Sequence, residues 1–180
     1  MLNFRTAAAT DIPAALALIE KAFRGESASR GWTHEADLLG GQRTDAQALT
    51  AIIENPDERL ILAERGGALC GCVMLANKGM REDRRIGYLG LLAVDPDLQA
   101  GGIGGVLVNE AERLAREFGA EIMEITVIKR RVELIAWYLR RDYALTGREE
   151  PFPLDDPRFG LPKTRDLSFV VMAKPLTPAH

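Results

Sequence analysis

The chain predicts an α/β fold, a mixed sheet of about seven strands flanked by about four helices, in a single domain spanning residues 1–180. Three observations predict it. Two apolar runs, "RLILAER" and "ALCGCVMLAN", flank Gly66-Gly67, which is the pattern of a β-hairpin. "IGYLGLLAV", residues 86–94, is apolar nearly throughout and leads through a glycine-rich loop into a helical period, so it reads as a strand buried on both faces. Elsewhere apolar residues recur at three- and four-residue spacing in well-separated segments, the stripe of an amphipathic helix.

Taken in order, "NFRTA" at 3–7 is a first strand. Thr10 or Asp11 caps the next helix, Pro13 sits in its first turn, and Ile12, Leu16, Ile19 and Phe23 repeat at helical spacing up to Gly25. Residues 25–45, rich in Gly, Ser and acids, form a partly helical surface excursion of the kind that carries recognition residues. Leu49, Ile52 and Ile53 restore helical spacing, and Pro56 ends it. The hairpin follows, then the solvated turn "REDRR" at 81–85, where Arg84 or Arg85 could lean toward an anionic ligand. Past the glycine loop, Val106, Leu107, Glu110, Leu114 and Phe118 trace a helix to Gly119. "EIMEITV" (121–127) is a strand, "VELIAWYLRRD" (132–142) a helix, and two strands lie near 143–149 and 166–174. The four prolines of 150–162 mark an ordered surface loop rather than a boundary.

Composition narrows the function classes. Apolar residues make up 47% and charged residues 27%, and the net charge is −3. With no basic cluster beyond Arg84-Arg85 and Arg140-Arg141, nucleic acid is not an expected partner. No apolar run is long enough to span a bilayer, and the amino terminus lacks a signal-peptide block, so a cytoplasmic protein without membrane partners is expected. Cys70 and Cys72 alternate; on a regular strand they share one face, too close for a disulfide, and read as packing residues. His34 reads as a surface histidine and His180 as terminal. No metal-ligand set can be assembled, so no metal is expected.

The segment with an unexplained cost is "DLQAGGIGGVLV", residues 97–108, with four glycines within 101–105. A dinucleotide fingerprint matches at Gly102 and Gly104, but Leu107 holds its third glycine position. An NTPase phosphate loop needs Lys-Ser or Lys-Thr where this chain has Val106-Leu107. A third reading is a loop whose successive N–H groups, at a helix amino terminus, face a pyrophosphate. "QAGGIG", residues 99–104, resembles the Q/R-x-x-G-x-G/A loop of the GNAT superfamily of acyl-CoA N-acyltransferases. "LLAVDPDLQ" before it is similar to that family's fourth strand and turn, and "RVELIAWYLRRDY" (131–143) to its last motif. Two positions depart from the pattern: Arg131 replaces an asparagine common in the family, and Asp142 replaces the helix-ending glycine.

The resemblance implies a GNAT fold, a mostly antiparallel sheet with a splay between the fourth and fifth predicted strands, and acetyl-CoA as cosubstrate in that cleft. It implies cofactor contacts from Leu92, Ala93 and Val94, from Gln99, Ala100, Gly101, Gly102, Ile103, Gly104 and Gly105, and from Arg131 and Tyr138. Gly90, inside its strand, suits a bulge at the splay or plain packing. Tyr138 is the implied acid for the leaving thiolate. Glu35 and Asp37 are candidate general bases with Glu124 as their rival, and Trp32, Glu35 and Asp37 fall in the implied acceptor-binding segment. The expected activity is N-acetyl transfer to an amine of a small molecule or peptide by direct attack in a ternary complex. A non-catalytic acyl-CoA-binding module and a nucleotide-binding protein of another kind are the alternatives. The acids of residues 20–45 lean toward a cationic acceptor, and edges of the late strands leave a homodimer open.

Overall fold

The computed structural model describes residues 1–24, 38–98, 101–157 and 160–177. Their elements run β1 (Leu2–Thr6), α1 (Ile12–Phe23), β2 (Leu39–Gly40), α2 (Ala46–Glu54), β3 (Glu58–Arg65), β4 (Ala68–Arg81) and β5 (Arg84–Val94). Next come α3 (Ile103–Glu117), β6 (Ile122–Ile128), α4 (Val132–Leu139), β7 (Ala144–Pro151), β8 (Leu161–Pro162) and β9 (Ser168–Pro175). Seven strands form one sheet in the order β1-β3-β4-β5-β6-β9-β7, and the two-residue strands β2 and β8 pair with each other. Only β5 and β6 run parallel; every other neighbouring pair is antiparallel. The mixed sheet and four helices follow the sequence expectation. The expected fourth and fifth strands are β5 and β6, since the short β2 comes before them.

Local chemistry sets the element ends. The Asp11 carboxylate accepts the Ala8 N–H at 2.8 Å and the Arg5 guanidinium at 2.7 Å, fixing the entry to α1. Asp45 accepts the Ala48 N–H at 2.8 Å and so caps α2. The β3–β4 turn falls at Gly66-Gly67, and the β4–β5 turn at Glu82 and Asp83, both with positive φ. "REDRR" is therefore the turn its polarity predicts.

The core lies on both faces of the sheet. On one, Ile103, Leu107, Val108, Ala111 and Ala115 of α3 pack on Val73, Leu75, Leu89, Met123 and Ile125. On the other, Ala15, Leu18, Ile19 and Ala22 of α1 with Leu49 of α2 cover Leu60, Leu62, Cys72 and Ala93. A smaller cluster of Leu39, Ile128, Phe152 and Leu167 anchors the proline-rich segment.

One expectation is corrected here. Cys70 packs with the α3 side and Cys72 with the α1 side, although alternation alone puts them on one face. Ala63 pairs with Gly71 and Glu64 with Leu69, so Cys70 is an extra residue in β4, a bulge that shifts the side-chain alternation. Gly71 is required beside it: a Cβ there would lie 2.8 Å from Leu107 Cδ1 and 3.1 Å from the Ala93 carbonyl. Both thiols are buried and donate to carbonyls, Cys70 to Ala63 at 3.2 Å and Cys72 to Leu91 at 3.7 Å. Burial pushes the Cys72 thiol up to about 12, so both serve packing.

A buried polar cluster ties α3 to the last strand. Glu112, 3% exposed, accepts both hydrogen bonds from Lys174 Nζ at 3.0 Å and one from the Tyr143 hydroxyl at 3.1 Å.

Candidate active site

β5 and β6 pair through only three residues each: Ile86 with Ile122, Gly87 with Met123 and Tyr88 with Glu124. Beyond Tyr88 the strands part. β5 continues along β4, but its register slips: Cys72 lies opposite Ala93 and Met74 opposite Gly90, so Leu91 and Leu92 together face Val73. That is a bulge, and Leu91 at φ 47° carries its left-handed residue. Non-glycine residues in that conformation cost on the order of 1–3 kcal/mol and cluster at functional clefts. Gly90 is the neighbour of the bulge rather than its left-handed residue; a Cβ there would sit 3.0 Å from Met74 Cε and 3.2 Å from Tyr88 Cε1. Both readings of Gly90 therefore hold in part.

The gap opens a cavity of about 480 Å³ whose walls include Leu89, Leu91 and Leu92 of β5, Glu124 and Thr126 of β6, and Tyr138 of α4. Tyr138 is 5% exposed, edge-on to Trp137 and Tyr143 with ring centroids 4.9 and 5.4 Å away. Among the described residues nothing hydrogen-bonds its hydroxyl. Burial pushes that hydroxyl well above the ordinary tyrosine range, against a partial pull downward from Arg131 and Arg141. Arg131 is the N-cap of α4 and also lines the cavity. At the far end of this motif, Asp142 adopts φ 68°, the left-handed turn for which glycine is the usual residue.

Glu124 also lines the cavity, with its side chain 12% exposed. Arg81 donates to its Oε1 at 2.6 Å, and Arg148, brought over by a bulge in β7, donates to the same oxygen. The Tyr88 hydroxyl and Thr126 Oγ1 share a hydrogen bond at 2.7 Å on the same wall.

The glycine loop follows β5 in the chain and leads into α3. Gly102 is the N-cap, at φ 72°, and no side chain caps this 15-residue helix. An L side chain would strain that backbone, which accounts for one of the four glycines. The first-turn N–H groups of Ile103, Gly104 and Gly105 lack an intrahelical acceptor by construction, and the helix potential there favours an anion. Two arginines flank this end. A Cβ on Gly101 would lie 3.7 Å from the Arg65 guanidinium, and one on Gly105 would lie 3.2 Å from that of Arg141. Arg141 stacks at 3.5 Å over the Trp137 ring and donates to the Trp137 carbonyl.

Of the sequence-predicted residues, Leu92, Tyr138, Glu124 and Arg131 converge on the cavity, Ala93 and Val94 continue β5 beside it, and Gly101 to Gly105 form the α3 entry. Trp32, Glu35 and Asp37, together with Gln99 and Ala100, lie outside the described residues, as do His34 and His180. Neither Arg65 nor Arg141 stands out in the sequence. The signal for Arg141 is its place one turn beyond Tyr138; Arg65 offers only its position at the end of a hairpin strand. Among the described residues no group of His, Cys, Asp and Glu could hold a metal ion, and no helix is long and apolar enough to cross a membrane.

Comparison with known proteins agrees with this geometry. Residues 17–143 match the profile of the acetyltransferase (GNAT) family. No curated protein sequence matches the chain. Solved structures similar to it include the ribosomal-protein-S18-alanine N-acetyltransferase of Escherichia coli, at TM-score 0.70 and 16% identity, covering 100% of this chain and 97% of that one. The ribosomal-protein-alanine N-acetyltransferase of Brucella melitensis gives 0.69 and 22%, covering 97% and 99%. The protein yncA of Salmonella typhimurium, solved with its cofactor acetyl-CoA, gives 0.70 and 18%, covering 100% and 96%. At these identities the likeness speaks for the fold.

Proposed function

The chain belongs to the acetyltransferase (GNAT) family, and on that premise we propose that it transfers an acetyl group from acetyl-CoA to an amine by direct attack within a ternary complex. The observation that carries this reading is the parting of β5 and β6 after Tyr88, which opens a cavity with Tyr138 in its wall, while the chain leaving β5 runs into a helix amino terminus that no side chain caps. The residues fit the cosubstrate. The N–H groups of Ile103, Gly104 and Gly105 with Arg65 and Arg141 suit a pyrophosphate. The bulged edge of β5, through Leu92, Ala93 and Val94, suits an amide-bearing arm laid alongside like a strand. The thioester supplies an activated acyl group and a good leaving thiolate.

What the chain itself must do follows from proton balance. A primary amine with a pKa near 10.4 is about one part in a thousand neutral at pH 7, a barrier contribution of about 4 kcal/mol. Glu124 is the candidate to relieve it, through Oε2, the oxygen its arginines leave unengaged; Glu35 is the rival. As the amine nitrogen bonds to the carbonyl carbon, negative charge develops on the oxygen, to which a backbone N–H of the bulged β5 edge donates a hydrogen bond. The carbon–sulfur bond then breaks. Tyr138 donates a hydrogen bond to the departing sulfur. Its hydroxyl, raised by burial, is a weaker acid than a thiol of pKa about 8.5, so complete transfer of its proton runs uphill. The proton that ends on sulfur balances the one released by the amine.

A calorimetric titration with acetyl-CoA tests the reading, repeated with Gly101→Trp. Gly101 has no positive φ, and its Cβ has ordinary room, so the substitution obstructs the loop without straining the fold. Binding by the native protein that weakens at least tenfold in the variant supports the site. No binding by the native protein sinks the transferase reading.

A further inference from the structure

The described part of the cavity lining is richer in cations than the chain as a whole. It carries four cations, Arg43, Lys78, Arg81 and Arg131, against two acids, Glu124 and Glu150, whereas the whole chain has net charge −3. Glu124 is compensated twice over, by Arg81 and by Arg148. Two described acids of residues 20–45, the stretch whose charge leans toward a cationic acceptor in sequence, are engaged elsewhere. Glu20 accepts the N–H groups of Arg43 and Thr44 at 2.7 and 3.1 Å, and Asp45 caps α2. Lys78 is the distinctive cation. Its ammonium lies 5.2 Å from the centroid of the Tyr88 ring, and among the described residues no carboxylate pairs with it. Arg43 sits likewise over Phe23, at 5.0 Å. Both rings line the same cavity, so each cation rests on an aromatic wall.

We propose that the acceptor is an amine that also carries an anionic group, a carboxylate set a few bonds from the nitrogen, and that Lys78 receives that group. This rests on the transferase reading above and specifies its second substrate. A cation on the wall of a cleft concentrates ligands of opposite charge, so a polycationic amine meets repulsion at Lys78 where an amino acid finds a counter-charge. The same field assists the chemistry. Cations close to an ammonium disfavour its charged form, and each unit by which its pKa falls raises the neutral, nucleophilic fraction tenfold. The carboxylate anchors the acceptor while its surroundings help to strip the amine of its proton.

The test is a panel of matched acceptors assayed by thiol release from acetyl-CoA: leucine, leucinamide and isoamylamine; phenylalanine, phenylalaninamide and phenethylamine; and spermidine. Carboxylates are expected to exceed their amides and bare amines at least tenfold in kcat/KM. Lys78 is exposed, so Lys78→Met folds, and it is expected to raise KM for the carboxylates about tenfold, leave the amides unmoved and keep the acetyl-CoA affinity. Preference for spermidine or the bare amines, an equal effect of Lys78→Met on every acceptor, or acetyl-CoA binding with no carboxylate turned over would each overturn the proposal while leaving the transferase site standing. Failure to bind acetyl-CoA would instead remove the reading beneath it.

Discussion

Tyr138 is the proposed donor to the departing sulfur, and its surroundings give it a definite signature. The hydroxyl faces a cavity, is walled by two aromatic rings and is held protonated by burial. Tyr138→Phe keeps the ring packing and removes only the donor. We expect kcat to fall by about 10²–10⁴ with acetyl-CoA affinity unchanged by calorimetry; an unchanged kcat would take Tyr138 out of the mechanism. Since the hydroxyl titrates above the ordinary tyrosine range, the native kcat–pH profile should show no descending limb from this group up to pH 10. Tyr138, Gly102 and Asp142 are legible in the sequence because each lies within a short motif whose backbone conformation is local. Arg65, Arg141 and Lys78 are not, since what matters in each is which distant element its side chain meets. A lone lysine in "MLANKGM" gives no sign that it rests on Tyr88.

At the scale of the element, the two bulges do more than the strands they interrupt. The one at Leu91 turns the edge of β5 where β6 departs, and the one at Cys70 reassigns side chains between the two cores. Period-2 alternation finds β4 but not its bulge, because the extra residue leaves the apolar composition intact; the only local hint is Gly71. Gly71→Val puts a branched side chain where even a Cβ would be 2.8 Å from Leu107. Overpacking of this kind costs about 1–3 kcal/mol, more if the carbonyl of Ala93 must move, and urea denaturation should show it as a lower midpoint with an unchanged slope. The pair β2 and β8 also escapes sequence reading, being two residues long and without a periodicity to detect.

Over the whole molecule, the order of the last strands had to come from the structure. β9, the carboxy-terminal strand, inserts between β6 and β7, and the Glu112–Lys174 pair fastens it to α3. Taking one member from a buried ion pair leaves the other uncompensated, at a cost of about 3–5 kcal/mol. Glu112→Ala should therefore lower stability by about that amount in thermal or chemical unfolding, and the double variant with Lys174→Met should recover part of it. A destabilisation under 1 kcal/mol would mean that water compensates Lys174 and that the pair is not what secures β9. The long strands and the helices were readable from periodicity and turn residues, since each element carries its own pattern, while the mixed sheet came through the family resemblance. The cavity's charge was not, because its lining comes from eight separate stretches of chain.

The three residue pairs that join β5 to β6 have a mechanical consequence. They rivet one part of the sheet, β1-β3-β4-β5, to the other, β6-β9-β7, at a single corner. From Tyr88 to Val94 the edge of β5 that β6 leaves unpaired, still held by β4 on its other side, is about 20 Å long at roughly 3.3 Å per residue. A rotation of about 5° at that corner moves the mouth of the gap by nearly 2 Å, about the difference between admitting and refusing a methyl group. The width of the opening thus depends on how Gly87 and Met123 pair, one residue before the walls of the cavity begin at Tyr88 and Glu124.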